Sequence, residues 1–360
     1  MSKRMTIKGA KVGCLYCLLF LISCPGLTQT NQSEKPLFLS ISPYIGKFQV
    51  HTKSLYPYNG VHPTGIELEA SQLILTKRIR ERFGTFIKVG FGFNYLNFNH
   101  EDLGHTITTL AYLEPFLKTS GHWRISAKVG AGLAYLSNPY HATFNPQNLT
   151  YSTHLAFPLY AGANAYYFFT KQWAIKVSAS YQHISNGGIK QPNLGINYPV
   201  IALGIEHTFN AYAIPPKRAL TNYSKNKRLD LLLGYSLKED TTHTNTRHVV
   251  NVQGNYSMDI SRINALNLAC LVEYQQAPAL SQTPKELSVA PLVGHEFLFG
   301  QIFFGQQIGV YLIRGEEASN ALLQNYYLRY KVNRRIIAGI NLKAHGRVAD
   351  YLAIQLGVRL

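Results

Sequence analysis

Residues 181–197 read Tyr181-Gln182-His183-Ile184-Ser185-Asn186-Gly187-Gly188-Ile189-Lys190-Gln191-Pro192-Asn193-Leu194-Gly195-Ile196-Asn197. In extended chain alternate side chains share a face, so His183 and Ser185 stand side by side. A serine hydroxyl is a weak nucleophile until a base within hydrogen-bond reach takes its proton, and imidazole is the usual base near neutral pH. The chemistry this allows is acyl transfer. A third group must hold the imidazole tautomer. Asn197 can accept from the far ring N–H, although it lacks the charge with which a carboxylate would stabilise an imidazolium. The Asn186-Gly187-Gly188 backbone, free of Cβ at two positions, can turn tightly and aim N–H groups at a developing oxyanion, with Asn193 as a second donor. The same letters also spell an ordinary Asn-Gly-Gly hairpin turn, so the faces of the flanking strands decide between the readings.

Those strands alternate with period two. Upstream, Trp173, Ile175, Val177, Ala179, Tyr181, His183 and Ser185 share one parity, while Gln172, Lys176, Ser178, Ser180 and Gln182 share the other. Downstream, Asn197 shares parity with Ile201, Leu203 and Ile205. All three polar side chains therefore fall on the apolar face, where they are costly unless they serve a purpose. Glu206 has the opposite parity and is a poor substitute for a triad carboxylate.

The alternation continues from Leu37 to Leu360. Ile87, Val89, Phe91, Phe93 and Tyr95 alternate with Lys88, Gly90, Gly92 and Asn94. Leu352, Ile354, Leu356, Val358 and Leu360 alternate with Ala353, Gln355, Gly357 and Arg359. About sixteen such segments begin near residues 37, 62, 84, 105, 121, 151, 172, 198, 228, 245, 262, 287, 301, 321, 335 and 350. Long polar connections such as 137–150 and 276–286 alternate with short ones such as 119–121 and 333–334. This is the pattern of an all-β, transmembrane antiparallel β-barrel, with long loops outside and short turns in the periplasm. One long connection falls on the short-turn side, residues 211–227, with Pro215-Pro216-Lys217-Arg218. It divides the strands into residues 37–210 and 228–360 and reads as a periplasmic linker within one larger barrel, with a boundary between two closed barrels as the alternative.

His183-x-Ser185-Asn186-Gly187-Gly188 followed by Lys190-Gln191-Pro192-Asn193-x-Gly195 resembles the signature of the outer-membrane lipid A 3-O-deacylases. The likeness is dense over about fifteen residues and looser over Leu37 to Phe209. It implies an eight-stranded barrel with a lipid-facing site in its last hairpin, Ser185 as nucleophile and His183 as general base. Asn193 and the Gly188 N–H would then contribute to the oxyanion hole. It also implies an ester-linked acyl chain of lipid A or lipopolysaccharide as substrate, lying on Trp173, Ile175, Val177 and Ile201. No metal or cofactor is expected. Family members can dimerise, so a homodimer is admitted. The sequence departs from the family in two ways. Asn197 stands where the family has Glu, and residues 229–360 are additional, which suggests a barrel enlarged to about sixteen strands with an open lumen. A non-catalytic pore or binding barrel that retains the motif is the alternative.

Composition agrees with a membrane barrel. Charged residues are 15% of the 360, against roughly 25% in soluble domains, and there are 24 Tyr, 18 Phe and 28 Gly. Mean hydropathy is −0.07, and past the N-terminus no apolar run is long enough for a spanning helix. The net charge of +17 does not indicate a nucleic-acid partner, because the basic residues form short clusters without interleaved aromatics. Residues 1–28 read as a secretory signal, with Lys3, Arg4, Lys8 and Lys11 ahead of the apolar stretch Cys14 to Ser23. The destination is the bacterial outer membrane. Ordinary cleavage near Thr28 to Thr30 is the reading taken, because Pro25 follows Leu21-Ile22-Ser23-Cys24, which otherwise resembles a lipidation box. Cys270 alone would remain in the mature chain, as a small apolar residue. No Walker loop, zinc-spaced Cys/His cluster, H-E-x-x-H or G-x-S-x-G occurs.

Overall fold

Period-two alternation gives each strand one apolar and one polar face, and the chain satisfies both by closing its strands into barrels. A computed structural model describes residues 36–209, 212, 223–239, 246–276, 286–315, 320–346 and 348–360. The expected signal segment, Cys24 and most of the 211–227 linker lie outside these residues. The first eight strands are β1 (Leu37–Gly46), β2 (Thr64–Ile74), β3 (Ile87–Asn97), β4 (His105–Ser120), β5 (Trp123–Leu136), β6 (Leu155–Phe168), β7 (Trp173–Ser185) and β8 (Ile196–Thr208). The second eight are β9 (Lys227–Glu239), β10 (Thr246–Asp259), β11 (Asn264–Gln275), β12 (Leu287–Phe299), β13 (Ile302–Val310), β14 (Leu322–Lys331), β15 (Ile336–His345) and β16 (Val348–Arg359). Each begins within four residues of the position read from the sequence.

The closure differs from the expectation of one enlarged barrel. β8 returns to β1, with Phe38 opposite Thr208 and Ile45 opposite Ile201. β16 returns to β9, with Ile354 opposite Tyr235. The result is two antiparallel barrels of eight strands each. Alternation is the same in an eight- and a sixteen-stranded barrel, so it could not decide closure. Eight strands leave an interior just wide enough for side chains, and both interiors are filled, which removes the expected open lumen. In the first barrel Lys88 meets Glu206 at 2.6 Å, Lys128 meets Glu67 at 2.7 Å, and Glu69 pairs with both Lys128 and Lys176. In the second, Lys343 reaches Glu273 at 2.5 Å and Asp350 at 2.9 Å. Gln307 there bonds Gln253, Asn255, Asn267 and Asn325 at 2.6–2.9 Å. Glu206 is thus an inward, ion-paired residue, as its parity required.

At the long-loop rim an apolar plug closes the first barrel. Phe48, Leu55, Tyr58, Phe98, Leu136, Tyr151, Ile184 and Ile196 belong to one buried cluster there. Leu55 and Tyr58 come from a short 3-10 helix, Lys53–Tyr58. At the opposite rim a short helix of seven residues, α1 (Lys77–Phe83), ends on Gly84 in the left-handed conformation. The two barrels touch at both rims. Arg262 donates to Glu81 O at 2.8 Å, and the Phe83 and Phe299 rings stack at 5.9 Å. At the other end Gln191 N–H donates to Glu239 Oε2 at 2.7 Å.

Candidate active site

Ile184 and Ile196, opposite each other on β7 and β8, point inward and are fully buried in the rim plug. Because side chains alternate, fixing these two inward fixes their neighbours outward. His183 lies directly across from Asn197, with Ser185 one pleat further along. All three are half-buried on the outer wall. His183 Nδ1 lies 2.7 Å from Asn197 Oδ1, and Nε2 lies 3.0 Å from Ser185 Oγ. An amide oxygen only accepts, so Nδ1 carries the proton and donates to it. That leaves Nε2 with its lone pair facing the serine hydroxyl, which donates to it. The arrangement is a serine aligned with a neutral base whose tautomer is held from behind.

The loop from 186 to 195 makes room for this. Gly187 and Gly188 have φ of +70° and +83° and build the turn expected there. Gly195 has φ of +77°, and a Cβ there would stand 2.8 Å from His183 Cε1. Of the loop's three glycines it is the one where a side chain would press on the imidazole. The loop is fastened to 149–152: Leu194 N–H and Gly195 N–H donate to Leu149 O and Thr150 O at 3.1 and 2.8 Å. Ser152 Oγ donates to Lys190 O at 2.9 Å.

The expected oxyanion donors fare differently. Asn186 is consumed by the loop itself: its Nδ2 donates to Lys190 O at 2.7 Å and Ser152 Oγ at 3.2 Å, and its Oδ1 accepts Gly188 N–H at 3.0 Å. Neither Asn186 nor Gly188 therefore presents a donor to Ser185 here, because an Asx turn uses both. Asn193 Oδ1 accepts Asn186 N–H at 3.1 Å, which leaves the amide nitrogen as its donor end.

The residues expected to bed the acyl chain lie at different heights on the wall. Parity was read correctly, since Trp173, Ile175, Val177 and Ile201 are all exposed on the outer wall. Parity fixes a face and not a distance along the strand. Twelve residues at about 3.3 Å each separate Trp173 from Ser185, so Trp173 stands near the far rim of a hydrocarbon layer about 30 Å thick. There it packs on His207, with ring centroids 4.3 Å apart. Ile175 and Val177 line a shallow apolar depression with Trp123, Ala165 and Tyr167, in that same distant half. The outward residues beside the site are Phe157, opposite Ser185, and Leu159, opposite His183. Tyr181 and Pro199 form the next pair inward. Of the expected four, Ile201 is the nearest to Asn197 along its strand.

One neighbour was not foreseen. The chain continues past β1 along β8, with Lys47 N–H on Pro199 O and Gln49 N–H on Asn197 O at 3.1 and 2.8 Å. This sets His51 against the back of Asn197, with Nδ1 3.2 Å from Asn197 Nδ2. The outward parity Leu39, Ile41, Ile45 runs on to His51, but only the return of β8 to β1 makes the two meet.

A family model described as Lipid A 3-O-deacylase (PagL) matches residues 88–206. A second, described as Acyloxyacyl hydrolase, C-terminal domain, matches residues 227–360. Together they span most of the chain and divide it where the two barrels divide. No curated protein matches the chain significantly. Among solved structures, a mutant of Rh. blastica porin covers 90% of this chain and 100% of its own at 9% identity, with a TM-score of 0.23. The Acinetobacter baumannii outer membrane protein Omp33 covers 90% and 98% at 9% identity, with a TM-score of 0.17. TM-scores this low mean that the backbones do not superimpose.

Proposed function

The chain belongs to the outer-membrane lipid A 3-O-deacylase family, and from that premise we propose that it hydrolyses an ester-linked acyl chain of lipid A with Ser185 as nucleophile and His183 as base. The observation that carries this reading is the hydrogen-bonded run Ser185–His183–Asn197 on the wall that faces lipid. Three polar groups there are costly in hydrocarbon, and their mutual bonds align the serine hydroxyl with its base.

The reaction would proceed in two halves. Ser185 Oγ attacks the ester carbonyl carbon while His183 Nε2 takes its proton. The tetrahedral oxyanion is met by the Asn193 amide nitrogen, the donor end left available by its bond to Asn186. Collapse expels the sugar hydroxyl, which leaves with the proton from His183, and the acyl group stays on Ser185. Water, deprotonated by His183, then releases the fatty acid and restores the serine. The leaving acyl chain would run down the wall past Phe157, Leu159, Tyr181 and Pro199. The alternative of a pore is disfavoured by the filled interiors of both barrels.

Mass spectrometry of lipid A from cells expressing the wild type, Ser185→Ala and His183→Ala tests the reading. The expected result is loss of one hydroxyacyl chain with the wild type and intact lipid A with both variants. Intact lipid A from folded, membrane-inserted wild type would refute it.

A further inference from the structure

We propose that His51 is a positioning residue that selects the productive orientation of the Asn197 amide. The inference rests on the reading of Ser185 and His183 as the catalytic pair. It starts from the departure at Asn197. A carboxylate in that place accepts a proton from either oxygen, so it holds the imidazole whichever way it is turned. An amide has one accepting and one donating end. With Oδ1 toward His183, the ring carries its proton on Nδ1 and offers Nε2 to Ser185. With the amide reversed, Nδ2 would donate to Nδ1, the ring proton would move to Nε2, and Nε2 could no longer take the serine proton. Asparagine therefore needs something to choose its orientation.

His51 supplies the choice. Its Nε2 lies 3.0 Å from Leu194 O, and its Nδ1 lies 3.2 Å from Asn197 Nδ2 and 3.3 Å from Gln49 O. A carbonyl oxygen accepts only. The Nε2–H tautomer donates to Leu194 O and leaves an Nδ1 lone pair for the Asn197 N–H. The other tautomer bonds Gln49 O but sets a ring N–H against the Asn197 amide hydrogens and a lone pair against Leu194 O. The first tautomer satisfies more groups, and it gives every bond in the run the same sense. Ser185 donates to His183, His183 to Asn197, Asn197 to His51, and His51 to Leu194 O. The last acceptor belongs to the same loop as Gly195, so the run is anchored at the backbone that also shapes the imidazole's seat.

Nitrogen-15 NMR of histidine-labelled protein in micelles, beside deacylation kinetics, tests this. In the wild type His183 should be the Nδ1–H tautomer. In His51→Ala a substantial Nε2–H population of His183 should appear, and kcat should fall at least about tenfold, toward the roughly 10⁴-fold loss that a wrong imidazole tautomer causes in a serine protease, with KM changed much less. His51→Asn, whose side-chain oxygen can replace Nδ1 as acceptor, should keep most of the turnover; it also serves as the variant of choice if His51→Ala fails to fold. In an Asn197→Glu background, where orientation no longer matters, His51→Ala should cost under about threefold, since coupled residues are non-additive. An unchanged His183 tautomer in His51→Ala would overturn the proposal. So would an equal loss in both backgrounds, which marks a merely structural role. If the wild type deacylates no lipid A, the functional reading fails, and the tautomer measurement still decides the role of His51.

Discussion

The hairpin β7–β8 of the first barrel and the hairpin β15–β16 of the second stand at matching places in their barrels, each the last before closure. In the first, outward positions across the pair are His183 and Asn197, then Tyr181 and Pro199. In the second they are Leu342 and Leu352, then Ile340 and Ile354. The first is joined by residues 186–195, the second by 346–347 alone. Both hairpins carry a histidine near the long-loop rim, but His345 points inward, where Tyr311 Oη lies 3.0 Å from its Nε2. The difference shows what the outer wall of each barrel carries. Polar side chains persist on it where they satisfy one another and a long loop gives them backbone partners. Where the connection is tight the wall is apolar and the polar groups turn inside. The second barrel meets the site's loop through Glu239 on Gln191, through Leu352, which a Cβ on Gly187 would meet at 2.9 Å, and through Asp350 O, which a Cβ on Gly188 would meet at 2.8 Å.

The largest expected effect comes from erasing the difference. Ser185→Ala should lower kcat for lipid A deacylation by about 10⁴-fold or more, measured on purified protein in micelles, with fold and insertion unchanged by heat-modifiable gel mobility. Residual turnover near the wild-type level would place the nucleophile elsewhere and end the contrast between the hairpins. Next is Gly195→Ala, which forces a Cβ into the His183 ring and a strained backbone. A displacement of the base by the order of an ångström costs about 10²-fold, so kcat should drop by that order while the serine remains in place. A wild-type rate would mean that the ring has another seat. Asn197→Glu goes the other way. A carboxylate would stabilise the imidazolium by charge, and kcat should rise about tenfold, a part of what the reverse change costs a serine protease; a fall would show that this wall is built for the amide. The smallest effect concerns the contact between barrels. Glu239→Ala removes the acceptor of Gln191 N–H, and a hydrogen bond of about 1 kcal/mol predicts a loss in kcat/KM of a few-fold. Abolished activity would instead make the second barrel part of the catalytic apparatus.

Much of this was legible in the chain. Every strand, the outward parity of His183, Ser185 and Asn197, and the inward place of Glu206 follow from alternation, because a strand's side chains have only two directions. The tight turn at Gly187 and Gly188 followed from residue type. Heights along the wall were not legible, because parity gives a face and not a height on it, so Trp173 looked equivalent to Phe157. The bonds of Asn186 and Gly188 were not legible, because an Asx turn competes for the Gly188 N–H and composition alone does not reveal which partner wins.

By itself, then, the sequence determined the strands, their two faces and a serine beside a histidine on the outer one, since these are local consequences of covalent geometry and residue type. Only the tertiary structure decided that the chain closes after eight strands and again after sixteen. Closure is a long-range pairing, of Phe38 with Thr208 and of Ile354 with Tyr235, and no local pattern encodes it. In a single sixteen-stranded ring β1 would lie beside β16, and His51 would be far from Asn197. The return of β8 to β1 is what joins residues 146 positions apart and places a fourth member behind the three that the sequence could name.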